Sequence, residues 1–304
     1  MSVPFLPAAN IHAALGSSDA LEAVRTAFVE HARGEWMMPS KVYVQAPEGD
    51  FRAMPAAGAG YAVLKWVTSF PDNPKRGLPT VAGVVLLSDA TTGRLLAILD
   101  AGALTSLRTG AAAVVGSGVN GRAVARTFVE RGRPVLLWDT RQKQAVALAE
   151  ELGQAASVAA ERDEALAADI VVTVTPGGEV VFEQGSLRDG QHVSLMGADG
   201  PGKAEMDVEE LLRARIVCDE WDQASHSGDI ARAALEGLLG RDDVAELGRV
   251  LLGEEDGRRN DDEITVFDST GLAVQDLAVA ISVYERWLAN RDSADFVGVT
   301  EIEL

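Results

Sequence analysis

Three glycines in the middle of the chain have the spacing of a nucleotide-binding loop. Gly116, Gly118 and Gly121 follow a short apolar run that ends at Val115, and a helical stretch comes next; Asp139 lies 18 residues after Gly121. Glycines in this pattern allow a tight turn and bring a pyrophosphate close to a helix N-terminus, and the acid accepts hydrogen bonds from an adenosine ribose. An ordinary strand-to-helix turn would use similar glycines, but the context predicts a dinucleotide site.

The residues at and after Asp139 bear on which dinucleotide binds. A carboxylate at the end of the second strand repels a 2′-phosphate, which favours NAD. Arg141, two residues further on, would attract that phosphate instead. NAD is therefore the predicted cofactor, with NADP as the alternative.

A second set of candidates consists of cations in an acidic chain. The 304 residues contain 46 Asp+Glu against 27 Lys+Arg, a formal charge of −19, and lysine is rare. Lys41, Arg52, Lys65 and Arg108 come from separate segments with apolar or small neighbours. If they converge, they form a site for a carboxylate-bearing substrate. For Lys65, which lies in the β-type run 62–67, the alternative is an outward-pointing side chain on a half-exposed strand.

The pattern of the surrounding segments predicts two kinds of architecture. An amphipathic helix from Asp19 to Gly34 precedes β-type runs separated by Pro- and Gly-rich turns, which predict an antiparallel sheet; the runs cover residues 41–45, 61–68, 81–87 and 95–99. After Arg108, strands alternate with helices, which is typical of a doubly wound parallel sheet. The helical pattern Gln275–Ala289 returns to the first domain.

The predicted fold class is therefore α/β, with a Rossmann-type doubly wound parallel sheet inserted into a split α+β domain. The split domain is predicted at residues 1–111 plus 272–304, and the inserted NAD(P)-binding domain at residues 112–271.

Composition excludes several classes of protein. A charge of −19 with no basic cluster argues against binding to nucleic acid or anionic membranes. The apolar runs are far shorter than the roughly 20 residues of a membrane helix, and we expect no secretory signal. One cysteine and four histidines without metal-ligand spacing predict a cytoplasmic protein without a metal. The acidic balance also suits a salt-rich, halophilic cytoplasm; an ordinary acidic protein is the alternative.

Four ordered motifs closely resemble those of the ornithine cyclodeaminase/mu-crystallin family. They lie at residues 65–80 (KWVTSFPDNPKRGLPT), 104–112 (LTSLRTGAA), 197–205 (GADGPGKAE) and 266–273 (VFDSTGLA). The resemblance covers nearly the whole chain. It implies a homodimer in which the split domain binds a small amino-acid or imine substrate and forms the dimer sheet, while the Rossmann domain holds the nicotinamide cofactor.

The resemblance also implies residue roles. Lys65 and Asp199 are the catalytic candidates: Lys65, with Arg108, meets the substrate carboxylate, and Asp199 is the acid/base of the imine chemistry. Lys41 and Arg52 are further substrate-binding candidates. The predicted cofactor-binding residues are Thr80, Gly116, Gly118, Val119, Asn120, Gly121, Asp139, Thr140, Arg141, Thr175, Pro176, Lys203 and Ser269. For Asp199, the alternative is a helix-capping turn residue.

One local feature favours a substrate. The chain resembles the archaeal alanine dehydrogenase branch of the family, whose motifs Lys-Val-Tyr and Asp-Phe-Arg-Ala-Met-Pro match residues 41–43 and 50–55. The ornithine-cyclising branch instead has a motif similar to Glu-Leu-Met-Pro where this chain has Arg52-Ala53-Met54-Pro55. An arginine binds a carboxylate oxygen and repels a terminal ammonium. We therefore expect NAD-dependent oxidative deamination of alanine; ketimine reduction, cyclodeamination and non-catalytic ligand binding are the alternatives.

The chain departs from its family at one point. Members place a helix of about 20 residues, roughly 30 Å long, between the Arg-Thr motif and the glycine loop. Here seven residues separate Arg108 from Gly116. If this deletion is real, we expect Val114–Gly116 to pair centrally in the sheet while Arg108 fails to reach the substrate, which would weaken or abolish activity.

Overall fold

The computed structural model describes residues 2–107, 113–200 and 202–303. The strands are β1 (Ser2–Leu6), β2 (Val42–Ala46), β3 (Gly49–Gly58), β4 (Tyr61–Ser69), β5 (Val81–Asp89), β6 (Leu95–Asp100), β7 (Ala113–Val115), β8 (Val135–Trp138), β9 (Ala156–Val158), β10 (Ile170–Thr173), β11 (His192–Leu195), β12 (Arg215–Cys218), β13 (Ala245–Glu246), β14 (Thr265–Asp268) and β15 (Thr300–Glu303).

The α-helices are α1 (Ala8–Ala14), α2 (Ser17–Ala32), α3 (Ala101–Leu107), α4 (Val119–Glu130), α5 (Gln142–Leu152), α6 (Arg162–Leu166), α7 (Val208–Leu211), α8 (Trp221–Ser227), α9 (Ala231–Leu235), α10 (Leu247–Leu252) and α11 (Ala273–Ala289). The chain divides into two compact units, Met1–Arg108 with Leu272–Leu304, and Thr109–Gly271. Among the described residues, no helix combines the length and apolarity needed to cross a bilayer.

The first unit is built on a mixed seven-stranded sheet with the order β15-β1-β6-β5-β4-β3-β2. Its strands pair antiparallel except β1 and β6, which are parallel. The side chains of β4 alternate: Val63, Lys65 and Val67 are buried, whereas Leu64 and Trp66 are exposed. This period of two is what the pleat of a half-buried strand produces. The helix α11 covers the inner face, packing against α2 and against β3 and β4.

All four β-type runs predicted in this unit are strands, which confirms the predicted antiparallel sheet from β2 to β6. The pattern missed β1, β3 and β15. In β3, glycine, alanine and Pro55 give a low β-propensity. Pairing with β2 on one side and β4 on the other overrides that local preference.

The second unit contains an eight-stranded, all-parallel sheet with the order β13-β12-β14-β11-β10-β7-β8-β9. Apolar clusters fill both faces of the sheet, as expected for strands that helices cover on both sides. The Rossmann-type architecture predicted from the sequence is confirmed. Strand β7 lies between β10 and β8, so chain order reverses there, and the carboxyl ends of β7 and β10 form the switch point at which such sheets bind ligands.

The short connection before the glycine loop is partly described. Helix α3 ends at Leu107 and β7 begins at Ala113, and β7 pairs centrally, as expected for a shortened connection. Arg108 lies outside the described residues, so its predicted substrate role stays a prediction.

Candidate functional site

The glycine loop joins β7 to α4, and two of its glycines are required by the chain itself. Gly116 has φ +110°, and a Cβ there would lie 2.6 Å from the carbonyl oxygen of Val174. A Cβ on Gly121 would overlap the carbonyl oxygen of Gly116 and press on Val114. These glycines therefore allow close packing of loop, helix and strand, whatever binds there.

Gly118 is different, and its environment fits a ligand. It precedes α4 with an ordinary φ of −71°, and a Cβ there would meet no protein atom within 4 Å. Neither backbone strain nor packing inside the chain explains this glycine. The N–H groups of the first turn of α4 have no side-chain cap at Gly118, so they are available to an anionic group. The loop therefore fits a dinucleotide pyrophosphate.

Asp139 is placed directly after β8, where its carboxylate supports the loop. Oδ2 accepts a hydrogen bond from the Ser117 N–H at 2.7 Å, and Oδ1 accepts one from the Arg141 N–H at 2.8 Å. The side chain is buried, and the Arg141 guanidinium Nε lies 3.7 Å away. Asp139 thus has a structural role, and its contact with a ribose stays a prediction.

The remaining cofactor candidates are distributed over both units. The second unit carries Val119 and Asn120 at the start of α4, exposed Thr140 after Asp139, Thr175 and Pro176 after β10, and Ser269 after β14, all near carboxyl ends of parallel strands. Thr80 belongs to the first unit, in the segment before β5, where its carbonyl oxygen accepts a hydrogen bond from Phe70.

Asp199 and Lys203 form an ion pair in the loop after β11. Lys203 Nζ lies 2.6 Å from Asp199 Oδ1, and both side chains are about one-third exposed, at 31% and 37%. The alternative interpretation of Asp199 as a helix cap is wrong, because the described part of the following loop contains no helix before α7 begins at Val208. The carboxylate is therefore both held in place and accessible to a small molecule.

Lys65 is a core residue of the first unit, so the alternative of an outward-pointing side chain is also wrong. It is 2% exposed. Its Nζ donates to Thr105 Oγ1 at 2.7 Å and lies 3.0 Å from Asp276 Oδ1 on α11. A buried ammonium needs a counter-charge, and Asp276 supplies it.

Arg52 lies on the same inner face of the sheet as Lys65, because Met54, two residues along β3, pairs directly with Lys65. Its guanidinium binds Asp50 through two hydrogen bonds of 2.6 and 3.2 Å and lies 5.5 Å from the centre of the Tyr43 ring. The Asp50 partner, which was not anticipated from the sequence, partly balances the charge of Arg52. Lys41 immediately precedes β2 and is half-buried.

Sequence reasoning missed a group of buried carboxylates at the carboxyl edge of the parallel sheet: Glu205, Asp219, Asp229 and Asp268. Burial, and then the carboxylate of Glu205, raise the pKa of Asp229 to about 7. Burial, and then Asp229, raise the pKa of Asp268 above its usual range. For Glu205 the available signal was its place in the 197–205 motif, and for Asp219 and Asp268 it was an acidic residue at the end of a β-type run; Asp229, which lies between α8 and α9, gave no such signal.

Asp276 was also missed, although its position gave a signal. It lies in α11, a helix that is buried along most of its length, among alanine, valine and leucine residues. A charged residue at an apolar helix position predicts a buried partner, because an unpaired charge there is costly.

Comparison with known proteins identifies the family. The family model described as "Ornithine cyclodeaminase/mu-crystallin family" matches residues 3–129 and 113–291. This chain belongs to that family. The two matched segments overlap at residues 113–129, which comprise β7, the glycine loop and most of α4.

Among the relatives, an alanine dehydrogenase from Archaeoglobus fulgidus is 42% identical over 311 aligned positions, which cover 95% of this chain and 96% of that protein. A Delta(1)-pyrroline-2-carboxylate reductase from Bacillus cereus is 36% identical over 261 positions, covering 77% of this chain and 80% of that protein. A solved archaeal alanine dehydrogenase dimer with bound NAD superposes with a TM-score of 0.90 and 38% identity over the full length of both chains.

Proposed function

We propose that this family member is an NAD-dependent oxidoreductase that deaminates L-alanine to pyruvate and ammonia, and that it also runs the reductive amination. The similarity to alanine dehydrogenase carries the choice of alanine, because it is both higher and more complete than the similarity to the pyrroline-carboxylate reductase. The matching residues 41–43 and 50–55 support the same choice.

The cofactor proposal rests on the second unit. The open space at Gly118 and the N–H groups at the start of α4 would receive the pyrophosphate, and the end of β8 with Asp139 would lie beside the ribose. When bound, NAD accepts a hydride from the α-carbon of the substrate. Thr175, Pro176, Lys203 and Ser269 are proposed to flank the nicotinamide. NADP is the alternative cofactor, because the Arg141 guanidinium would attract a 2′-phosphate.

The proposed residue roles follow from charge and, for Asp199, from the exposure of its carboxylate. We assign Lys65, aided by Arg52 and Lys41, to the substrate carboxylate; Arg108 joins them only if the short connection before the glycine loop leaves it within reach of the substrate. This leaves the amino group and the α-hydrogen free to react. After hydride loss the substrate is an iminium, and the Asp199 carboxylate can take a proton from the water that attacks its carbon. The protonated Asp199 then gives its proton to the amino nitrogen and takes the hydroxyl proton as ammonia leaves, so the overall reaction of alanine yields pyruvate, ammonium, NADH and one proton released to solvent.

The choice against diamino acids rests on Arg52. Its guanidinium occupies the inner face of the sheet where a second ammonium would meet like charge, although Asp50 balances part of that charge. Reduction of a cyclic imine is the second candidate, and the similarity to a pyrroline-carboxylate reductase favours it. That reaction would use the same hydride in the opposite direction, with no water attack.

A homodimer is proposed from the outer face of the first sheet. This face carries four exposed apolar side chains: Val42, Val44, Leu64 and Trp66. Ala53 of β3 pairs with Val42 on one side and with Trp66 on the other, so these side chains lie on the same face of the sheet. A continuous apolar sheet face of this kind usually has a protein partner. The relative that superposes over the full chain is described as a dimer.

The single cysteine, Cys218, is buried and free, which suits the proposed cytoplasmic location.

The test is a substrate panel with the purified protein. NAD and NADP reduction is followed with alanine, ornithine, lysine and proline, and the reverse reaction with pyruvate plus ammonia and with a cyclic imine. We expect alanine with NAD to be preferred. Release of proline from ornithine, or preferred turnover of the cyclic imine, would overturn the assignment.

Asp199→Asn separates an enzyme from a binding protein. Loss of the acid/base group should lower turnover by about 10²–10⁴-fold while NADH binding persists. Tight NADH binding by the parent protein without turnover of any panel member would instead indicate a ligand-binding member whose activity was lost with the shortened connection.

A further inference from the structure

Glu205 lies six residues after Asp199, and its side chain is completely buried. It occupies the carboxyl edge of the parallel sheet, between the ends of β10 and β11. These two strand ends lead into the loops that carry Thr175 and Asp199. A buried carboxylate at this position can therefore influence both loops.

Both oxygens of Glu205 are fully used as acceptors. Oε1 accepts from the N–H of Thr175 at 3.1 Å and from its hydroxyl at 2.6 Å. Oε2 accepts from the N–H of Gly197 at 2.7 Å and from the hydroxyl of Thr173 at 2.7 Å. One side chain thus joins the ends of two neighbouring strands through main-chain groups.

The packing around the carboxylate is close. A Cβ on Gly197 would overlap the Glu205 carboxylate, so this glycine lets the strand end lie directly against it. The loop around Glu205 is fixed in turn by Asp229, whose Oδ1 accepts from the N–H groups of Glu205 at 2.6 Å and Met206 at 3.0 Å. Burial raises the pKa of Glu205, and the hydrogen bonds from Thr175, Thr173 and Gly197 oppose that shift.

A glutamine cannot replace this group. An amide has one oxygen and one NH₂, whereas each Glu205 oxygen faces a main-chain N–H that can act only as a donor. In either orientation of the amide, its NH₂ would point at the N–H of Thr175 or of Gly197. Two buried donors would then face each other, and one loop would have to move.

We propose that Glu205 is a positioning residue that holds the Thr175 and Asp199 loops in their reactive arrangement. This inference rests on the proposed function, because it takes Asp199 as the acid/base. Glu205 itself needs no contact with substrate or cofactor. Its carboxylate acts through the two main-chain N–H groups that it binds.

Glu210 provides a matched control in the same unit. It is also completely buried, and its oxygens accept from the main-chain N–H groups of Gly185 and Leu187 and from Arg213. Gly185 and Leu187 precede β11 and lie in the segment that leads to its amino end. Glu210→Gln therefore imposes the same type of donor conflict away from the proposed site.

The test compares Glu205→Gln and Glu210→Gln by steady-state kinetics on the preferred panel substrate and by amide hydrogen exchange. We expect Glu205→Gln to lower kcat by at least about tenfold with a smaller change in KM, and to speed exchange at Thr175 and Gly197. Glu210→Gln should lose comparable thermal stability but keep kcat within about twofold of the parent. Equal kcat values for the two variants, or unchanged exchange at those amides, would overturn the proposal.

A milder variant keeps the test usable if Glu205→Gln does not fold. Thr173→Val removes one of the four donors without changing side-chain shape and should still lower kcat by a few-fold; an unchanged kcat contradicts the proposal. If the parent turns over no panel member, the proposed function fails, and the exchange comparison alone still decides whether Glu205 holds the two loops.

Discussion

Replacement of Asp229 by asparagine should change how the stability of the protein depends on pH. Asp229 is 2% exposed, and its Oδ2 is buried with no hydrogen-bond partner among the described residues, while Oδ1 accepts from two main-chain N–H groups. Asparagine keeps an acceptor for those two groups and places a neutral amide where the second carboxylate oxygen lies. It therefore removes the charge while preserving the contacts.

The size of the effect follows from the pKa of Asp229, which burial and the Glu205 carboxylate raise from 3.8 to about 7. Between these two values the folded protein holds a proton that the unfolded chain has lost. The stability of the parent therefore falls by about 1.4 kcal/mol per pH unit as pH rises through this window, and by roughly 4 kcal/mol in all. Above the folded pKa the penalty is complete and constant.

The assay is urea unfolding of the parent and Asp229→Asn at pH 4, 5, 6, 7 and 8 with a constant KCl concentration. The difference in the free energy of unfolding should grow in favour of the variant up to about pH 7 and then level off. Asp292→Asn, which changes an exposed carboxylate, is the control and should follow the parent. If Asp229→Asn also follows the parent at every pH, then Asp229 does not carry an elevated pKa and the reasoning is refuted.

Three further predictions concern other parts of the chain. Gly118→Ala should leave the melting temperature unchanged and weaken NADH binding, whereas Gly121→Ala should cost about 1–3 kcal/mol of stability through its clash with Gly116; equal melting temperatures would contradict this. Asp276→Leu should cost about 3–5 kcal/mol by leaving the Lys65 ammonium without its counter-charge, and the double variant with Lys65→Met should regain most of it in denaturant titrations. If the halophilic hypothesis holds, the melting temperature should rise steeply with KCl as the charge of −19 is screened, and a flat profile would argue for an ordinary acidic protein.

Much of the fold could be predicted because periodicity and turn residues are local signals. The β-type run of β4, bounded by turn residues, and the glycine loop between β7 and α4 were both recognisable in the sequence. The sequence did not predict β3, because its glycines and Pro55 give it a low β-propensity and only the pairing with neighbouring strands on both sides makes it a strand. For Lys65, residue type alone favoured an exposed side chain, but the register of the sheet turns it into the core.

The sequence by itself therefore determined the family, the parallel and antiparallel sheets and the candidate residues, because each is encoded in short motifs or in hydrophobic periodicity. Tertiary structure decided which charges are paired and buried: Asp276 with Lys65, Asp50 with Arg52, and Glu205 beneath the two strand ends. These partners are remote in sequence or hidden in apolar segments, except Asp50, which lies two residues from Arg52. Burial makes such a group depend on its neighbours, and which residues become neighbours is set by the packing of the whole unit.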